Sequence, residues 1–162
     1  MKRTSRLILT FAMLFVVGLT TACGSSKPIT KTFYLKKDDF SITETITYKE
    51  KEDKVLKFIR IIDSKISATS EEAKEEMKNI LKKTSENYKD INGITETLDI
   101  QKDTYTQILE INYEKLDVEK AQQKVLGFKE LYYSENNLSA KKRIARYLEM
   151  GYVEQEAEKN KK

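Results

Sequence analysis

The chain has 162 residues, with 30 Lys and Arg against 26 Asp and Glu, one Cys, one Pro and no His or Trp. The absence of histidine excludes His-based triads, His proton relays and His metal sites. A lone cysteine forms neither an internal disulfide nor a CxxC pair, which removes the usual zinc and copper ligand sets. No GxGxxG, GxxxxGK[ST] or GxSxG stretch is present, and no cofactor or metal site is expected.

Met1 to Arg6 is a short basic segment carrying Lys2, Arg3 and Arg6. Leu7 to Leu19 follows as an uncharged apolar run, too short for a spanning helix of about 20 residues but of signal-peptide length. Small residues then lead into the single cysteine, as Thr20-Thr21-Ala22-Cys23-Gly24. This arrangement resembles a bacterial lipobox. The resemblance implies cleavage between Ala22 and Cys23 and a diacylglyceryl group on Cys23. Two acyl chains suffice for stable anchoring where one does not. The expected organisation is a signal peptide over 1–22, an acylated Cys and tether over 23–31, one domain over 32–152 and a charged, frayed tail over 153–162. Without Lys2, Arg3 and Arg6, 27 basic and 26 acidic residues remain. This balance gives no reason to expect nucleic acid as a partner.

Phe33 to Leu35 forms a short apolar patch, a candidate first strand. Phe40 to Tyr48 alternates, with Phe40, Ile42, Ile46 and Tyr48 on one face and Ser41, Thr43, Thr45 and Thr47 on the other. Period 2 with β-branched residues predicts a half-buried strand. Val55 to Ile66 predicts its partner across the polar turn at Lys49 to Asp53. Thr69 or Ser70 caps a helix reaching about Tyr88, with Ala73, Met77, Ile80, Leu81 and Tyr88 as its apolar stripe. Glu71, Glu72, Glu75 and Glu76 lead and Lys78, Lys82 and Lys83 follow, an order that suits the helix dipole.

A second hairpin is predicted from Ile94, Leu98 and Ile100 paired with Tyr105, Leu109, Ile111 and Tyr113. Asp117 caps a short helix carrying Val118, Ala121, Val125 and Leu126. Ser139 caps a last helix with Ala140, Ile144, Ala145 and Leu148 on its stripe, and Gly151 fits its C′ position. The fold class is α+β: an antiparallel sheet of two hairpins with helices on one face and a C-terminal helix.

Several residues stand out as candidate contacts. Glu44 interrupts the apolar face of its strand. A carboxylate there is paired, solvated at a sheet edge, or part of a ligand site, with Lys57 or Arg60 as the available partner. Thr43, Thr45 and Thr47 form a hydroxyl row, which suits either a glycan or cell-wall polymer or plain β propensity. Tyr132 and Tyr133 are either an exposed stacking pair or packing residues. Ser139-Ala140-Lys141-Lys142 fits SxxK, but Ser139 is also an ideal helix cap and neither SDN nor KTG follows. The acidic start of the first helix reads as a solvated face, since acid/base pairs need contrasting environments.

Asp53-Lys54-Val55, Ser70-Glu71-Glu72-Ala73-Lys74, Tyr88-Lys89-Asp90-Ile91-Asn92-Gly93-Ile94-Thr95, Ile111-Asn112-Tyr113 and Gly151-Tyr152 recur in this order along the chain. Together they resemble the YehR-like lipoproteins, small bacterial envelope proteins of unknown function. Asn112 stands where that family has Asp, and Tyr152 where it has Phe. The resemblance implies an acylated Cys and a compact α+β domain, and it carries over no catalytic residue. The expected function is a non-enzymatic lipoprotein on the extracytoplasmic face of the cell membrane (the outer leaflet of the plasma membrane in a Gram-positive source). It would bind an envelope protein, a cell-wall polymer or a small ligand. The alternatives are an envelope hydrolase using Ser and Lys or carboxylates, and an accessory subunit of a membrane transporter or sensor.

Overall fold

The computed structural model describes residues 27–155. Six strands form one antiparallel sheet: β1 Ile29–Lys36, β2 Phe40–Lys49, β3 Lys54–Lys65, β4 Ile94–Ile100, β5 Thr104–Asn112 and β6 Val153–Gln155. Their order across the sheet is β4-β5-β3-β2-β1-β6. The helices are α1 Glu71–Glu86, α2 Val118–Lys124, α3 Phe128–Tyr132, α4 Glu135–Leu138 and α5 Ala140–Glu149. The two expected hairpins, β2–β3 and β4–β5, are joined through the β3–β5 pairing. Ala22 and Cys23, with the signal peptide and cleavage site, lie outside the described residues.

Two boundaries differ from the sequence reading. β1 begins at Ile29, inside the expected tether, and pairs with β2 from Ile29↔Tyr48 to Lys36↔Ser41. Val153 to Gln155, expected to fray, pairs with Tyr34 to Thr32 as the edge strand β6. Its residues are all exposed, so burial leaves no trace of this strand in the sequence.

Side chains alternate across a strand, so the register sorts the sheet into rows. On one face Tyr48 pairs with Ile29 at the lower end, and the next row is Lys31, Ile46, Phe58, Ile111 and Ile94. Above it come Phe33, Glu44, Arg60, Leu109 and Glu96, then Leu35, Ile42, Ile62, Gln107 and Leu98. Phe40, Ser64, Tyr105 and Ile100 form the top row. The helices and the core lie on this face. Phe33, Ile46 and Ile111 are fully buried and Phe58 and Leu109 nearly so. The upper two rows are only half-covered, and Phe40 is exposed.

The cap residues act as expected: Ser70, Asp117 and Ser139 accept from the amides of Ala73, Lys120 and Lys142. The buried faces of two helices do not follow the expected stripes. α5 buries Ala140, Arg143 and Tyr147, while Leu148 is 54% exposed. The Arg143 guanidinium lies over the Phe58 ring at 4.6 Å, and Tyr147 packs on Phe33 at 5.0 Å. An Arg stem and its flat head can line a core that a polarity count would deny them. α1 turns Lys74, Lys78, Leu81 and Ser85 towards the sheet and leaves Met77 and Ile80 40% and 51% exposed. Leu126, expected on the stripe of α2, is exposed beyond its end.

The lower end of the molecule is held by local clamps. Asp53 closes the β2–β3 turn with φ of 49°. One of its carboxylate oxygens accepts from Ser139 Oγ at 2.5 Å, the other from the Lys141 amide at 2.8 Å. The turn is thereby fixed to the start of α5. Burial raises the Asp53 pKa, but the hydrogen bonds from Ser139 and Lys141 outweigh it and hold the group below its ordinary value. Gly93 opens β4 at φ of 82°, where a Cβ would lie 2.6 Å from the Leu116 backbone. Gly151 has a similar φ with open space around it.

Gly151→Ala should therefore cost about 1–2 kcal/mol, the left-handed penalty alone. Gly93→Ala should cost clearly more in the same urea-unfolding measurement, because backbone must also move. A folded-state pKa depressed below the unfolded value contributes stability above the unfolded pKa that is lost as pH falls. Asp53→Asn should thus destabilise near neutrality, and its deficit against the parent chain should shrink between about pH 5 and about pH 2.

Candidate functional site

Glu44 is the charged group that the alternating pattern places on the core face of β2, and it is 2% exposed. Its cross-strand neighbour is Arg60 on β3. Arg60 Nε donates to Glu44 Oε1 at 2.6 Å, and Nη2 lies at the same distance from that oxygen. The Tyr147 hydroxyl of α5 stands close enough to the same carboxylate for that charge to help keep it protonated. Arg60 Nη1 donates to the Tyr132 hydroxyl at 3.3 Å, and Tyr88 lies 3.5 Å from that hydroxyl. Burial works against the Arg60 charge, but the adjoining carboxylate outweighs it and raises the guanidinium pKa. Burial also pushes the Tyr147 and Tyr88 hydroxyls above their ordinary pKa, so both stay protonated.

Phe58 separates this pair from a second guanidinium. Arg143 lies over Phe58 and also within 5.9 Å of the Tyr113 ring. Its Nη2 donates to the Tyr113 hydroxyl at 3.1 Å, which donates in turn to the Tyr132 carbonyl at 2.8 Å. Arg146 donates to Asn137 Oδ1 at 2.6 Å, and Asn137 donates onward to the Glu130 carbonyl and Ser134. One polar network thus ties α3, α4 and α5 to β2 and β3.

The helical cover ends at the Glu44–Arg60 row. Glu44 is sealed, while the Arg60 side chain is 27% exposed. Glu44, Phe58, Tyr132 and Leu109 occupy its other sides, so its open side faces the half-covered rows above. There Leu35, Ile42, Ile62, Phe40 and Tyr105 form an apolar shelf. α1 walls one side. Its outer flank, with Lys82 and Glu86, meets Leu98 and Ile100 of the edge strand, so Met77 and Ile80 fall on the inner flank above the shelf. Groups along the outer flank are paired among themselves, as Lys89 with Glu86 and Ser85 with Glu96.

The other predicted residues take structural places. Thr43, Thr45 and Thr47 lie on the opposite, helix-free face. Thr45 and Thr47 share hydrogen bonds of 3.0 Å with Thr32 and Thr30 across the β1–β2 pair, so those hydroxyls already have partners. Tyr132 is buried at the end of α3, in ring contact with Phe58 and Phe128, and Tyr133 packs on Tyr113. Neither forms an exposed stacking pair. Ser139 is engaged by Asp53 and caps α5, while Lys142 pairs with Glu135, so no Ser–Lys dyad forms. Among the described residues no group of three or more His, Cys, Asp and Glu is placed to hold a metal ion, and no helix is long and apolar enough to cross a membrane. Arg143 was missed by sequence reasoning. Its signal was an Arg four residues after the Ser139 cap, in line with Ala140 and Tyr147.

Arg60→Met should destabilise the chain by about 3–5 kcal/mol, because it leaves Glu44 buried without its counter-charge. The double substitution Glu44→Leu with Arg60→Met should recover most of that loss in the same unfolding curves.

A family model described as a protein of unknown function (DUF1307) matches residues 29–153. An uncharacterized lipoprotein of Listeria innocua is 33% identical over 109 residues, covering 67% of this chain and 69% of that one. A second, from Listeria monocytogenes, is 31% identical over the same shares. The NMR structure of the Escherichia coli YehR protein superposes with a TM-score of 0.58 at 25% identity, covering 86% of this chain and 100% of that one. An NMR structure of a Streptococcus pneumoniae protein gives the same TM-score at 19% identity, covering 86% and 92%, and shares the fold. The sequence resemblance to YehR-like proteins, the family match from β1 to the first residue of β6 and the fold agree: the chain belongs to the DUF1307 family.

Proposed function

We propose that the protein is a membrane-tethered, non-catalytic binding domain acting outside the cytoplasm, with the apolar shelf above Arg60 as its recognition surface. The observation that carries this reading is the uneven cover of the sheet. The middle of the two rows from Ile46 to Leu109 is buried, and above it, between α1 and β1, apolar side chains continue for two rows more under partial cover. Exposed apolar surface of this kind, bordered by polar groups, marks an interaction site. The non-catalytic part rests on the absence of histidine and on the structural employment of Ser139, Lys142 and the buried tyrosines.

The tether rests on the single cysteine at residue 23, behind an apolar run of signal-peptide length. The Listeria relatives are named lipoproteins. β1 begins six residues after Cys23, a stretch that reaches about 20 Å when extended. The domain would therefore work against the membrane surface, open to membrane-borne or envelope partners. Metabolic labelling with an acyl probe tests the anchor: the parent chain should take up label and Cys23→Ala should not. A photo-crosslinking side chain at Ile62 or Met77 should capture a defined adduct in intact cells. The same group at Thr45, on the opposite face, should not, and equal capture from both faces would remove the shelf as the recognition surface.

A further inference from the structure

We infer that the shelf takes a single-chain amphiphile with an anionic head, its apolar chain lying across Leu35, Ile42 and Ile62 and its head against Arg60. The inference rests on the reading of the shelf as the recognition surface and adds the chemistry of the occupant.

Three observations carry it. The first is size. The row Leu35–Ile42–Ile62–Gln107 spans four strands, about 14 Å, and the shelf is two rows deep, about 7 Å along the strands. That footprint is far below the roughly 800 Å² per partner of a stable protein interface, and it suits one extended chain. The second is form. The floor is apolar and half-covered, and the inner flank of α1 adds Met77 and Ile80 as an exposed apolar wall. A chain laid along that wall removes both surfaces from water at once.

The third is charge. Arg60 stands at the lower margin with its open side towards the shelf. Arg60 and Arg143 flank Phe58 from 5.4 Å and 4.6 Å, and among the described residues Glu44 is the one carboxylate that pairs with either. The remaining acid of that row, Glu96, lies two strands from Arg60 and is engaged by Ser85 and Gln107. Lys74 and Lys78, the other cations on the sheet side of α1, are committed to Glu71, Asp103 and Glu75. A positive charge is thus left in excess beside the apolar floor. Arg60 Nε and Nη2 serve Glu44 and Nη1 serves Tyr132, so each terminal nitrogen keeps a second N–H. A carboxylate or phosphate head matches that fork.

The test uses residues 24–162 without the acyl group, a chain that retains every described residue. Ile and Met methyl and backbone amide resonances are followed while three submicellar probes with the same tail are added: decanoate, decyltrimethylammonium and decyl maltoside. Decanoate should shift Ile42, Ile62, Met77 and Ile80 and bind at least about tenfold more tightly than the cationic probe, as a charge-assisted head contact would give. Ile62→Asp, on the half-exposed floor, should abolish the shifts while the rest of the spectrum stays folded. The neutral pair Glu44→Gln with Arg60→Gln should keep tail binding and lose the preference among heads. Equal binding of all three probes at the shelf would overturn the anionic assignment and leave the recognition surface standing. Shifts confined to other surfaces, or none with any probe, would overturn both.

Discussion

A carboxylate in the middle of a sheet face constrains everything packed around it. Glu44 must meet a cation, and the antiparallel register supplies Arg60 directly opposite. Once paired, the two charges still need hydrogen bonds for their remaining valences. Tyr132 of α3 accepts from Arg60, Tyr88 in the turn after α1 lies against the Tyr132 hydroxyl, and Tyr147 of α5 stands beside the carboxylate. Three separate segments are thereby committed to one point on the sheet. The guanidinium that joins them keeps part of its surface in water, at the margin where α3 and α5 give way to the shelf. Closure of the core below and exposure of the shelf above meet at this one ion pair.

Much of this was legible in the sequence because it depends on period and on local hydrogen bonding. The alternation of β2 gave its faces, and the break at Glu44 signalled a partner with Arg60 among the possible residues. Ser70, Asp117 and Ser139 each announced a helix start. The orientation of α1 and α5 was not legible. A stripe argument ranks Leu148 above Arg143, whereas ring stacking and a tyrosine hydroxyl make Arg143 the better core residue. Of the apolar stripe expected for α1, Ala73, Leu81 and Tyr88 are covered while Met77 and Ile80 are exposed, and ion pairs such as Lys74 with Asp103 help seat the helix. No one-dimensional pattern records that rotation. The shelf was invisible for the same reason, since it exists only where cover is withheld.

The short segments that carried the family resemblance turn out to be joints. Asp53 fastens a β-turn to α5, Gly93 admits the Leu116 backbone, and Tyr113 links Arg143 to α3. Asn112 donates its amide to the Gly93 carbonyl at 2.8 Å and accepts from the Glu114 amide through its side chain. An acidic side chain at 112 could accept that amide equally well. These residues fix the lower half of the molecule and leave the shelf out of the pattern. Ile42, Ile62, Met77 and Ile80 belong to none of the matching segments, so a shared architecture leaves ligand preference free to vary.

The three residues of β6 also have a role out of proportion to their length. β1 offers one eight-residue edge to β2 and turns its other edge outward. An extended strand with unpaired amides and carbonyls is a template for any other strand that reaches it. β6 covers the central part of that edge, from Thr32 to Tyr34. Lys31 and Glu154 close an ion pair beside it. Copies gathered on a surface meet at high local concentration, so an uncovered edge would invite chain-to-chain strand pairing. The short C-terminal strand thereby reduces the open length of the β1 edge, and nicking after Tyr152 would free that edge for pairing with another strand.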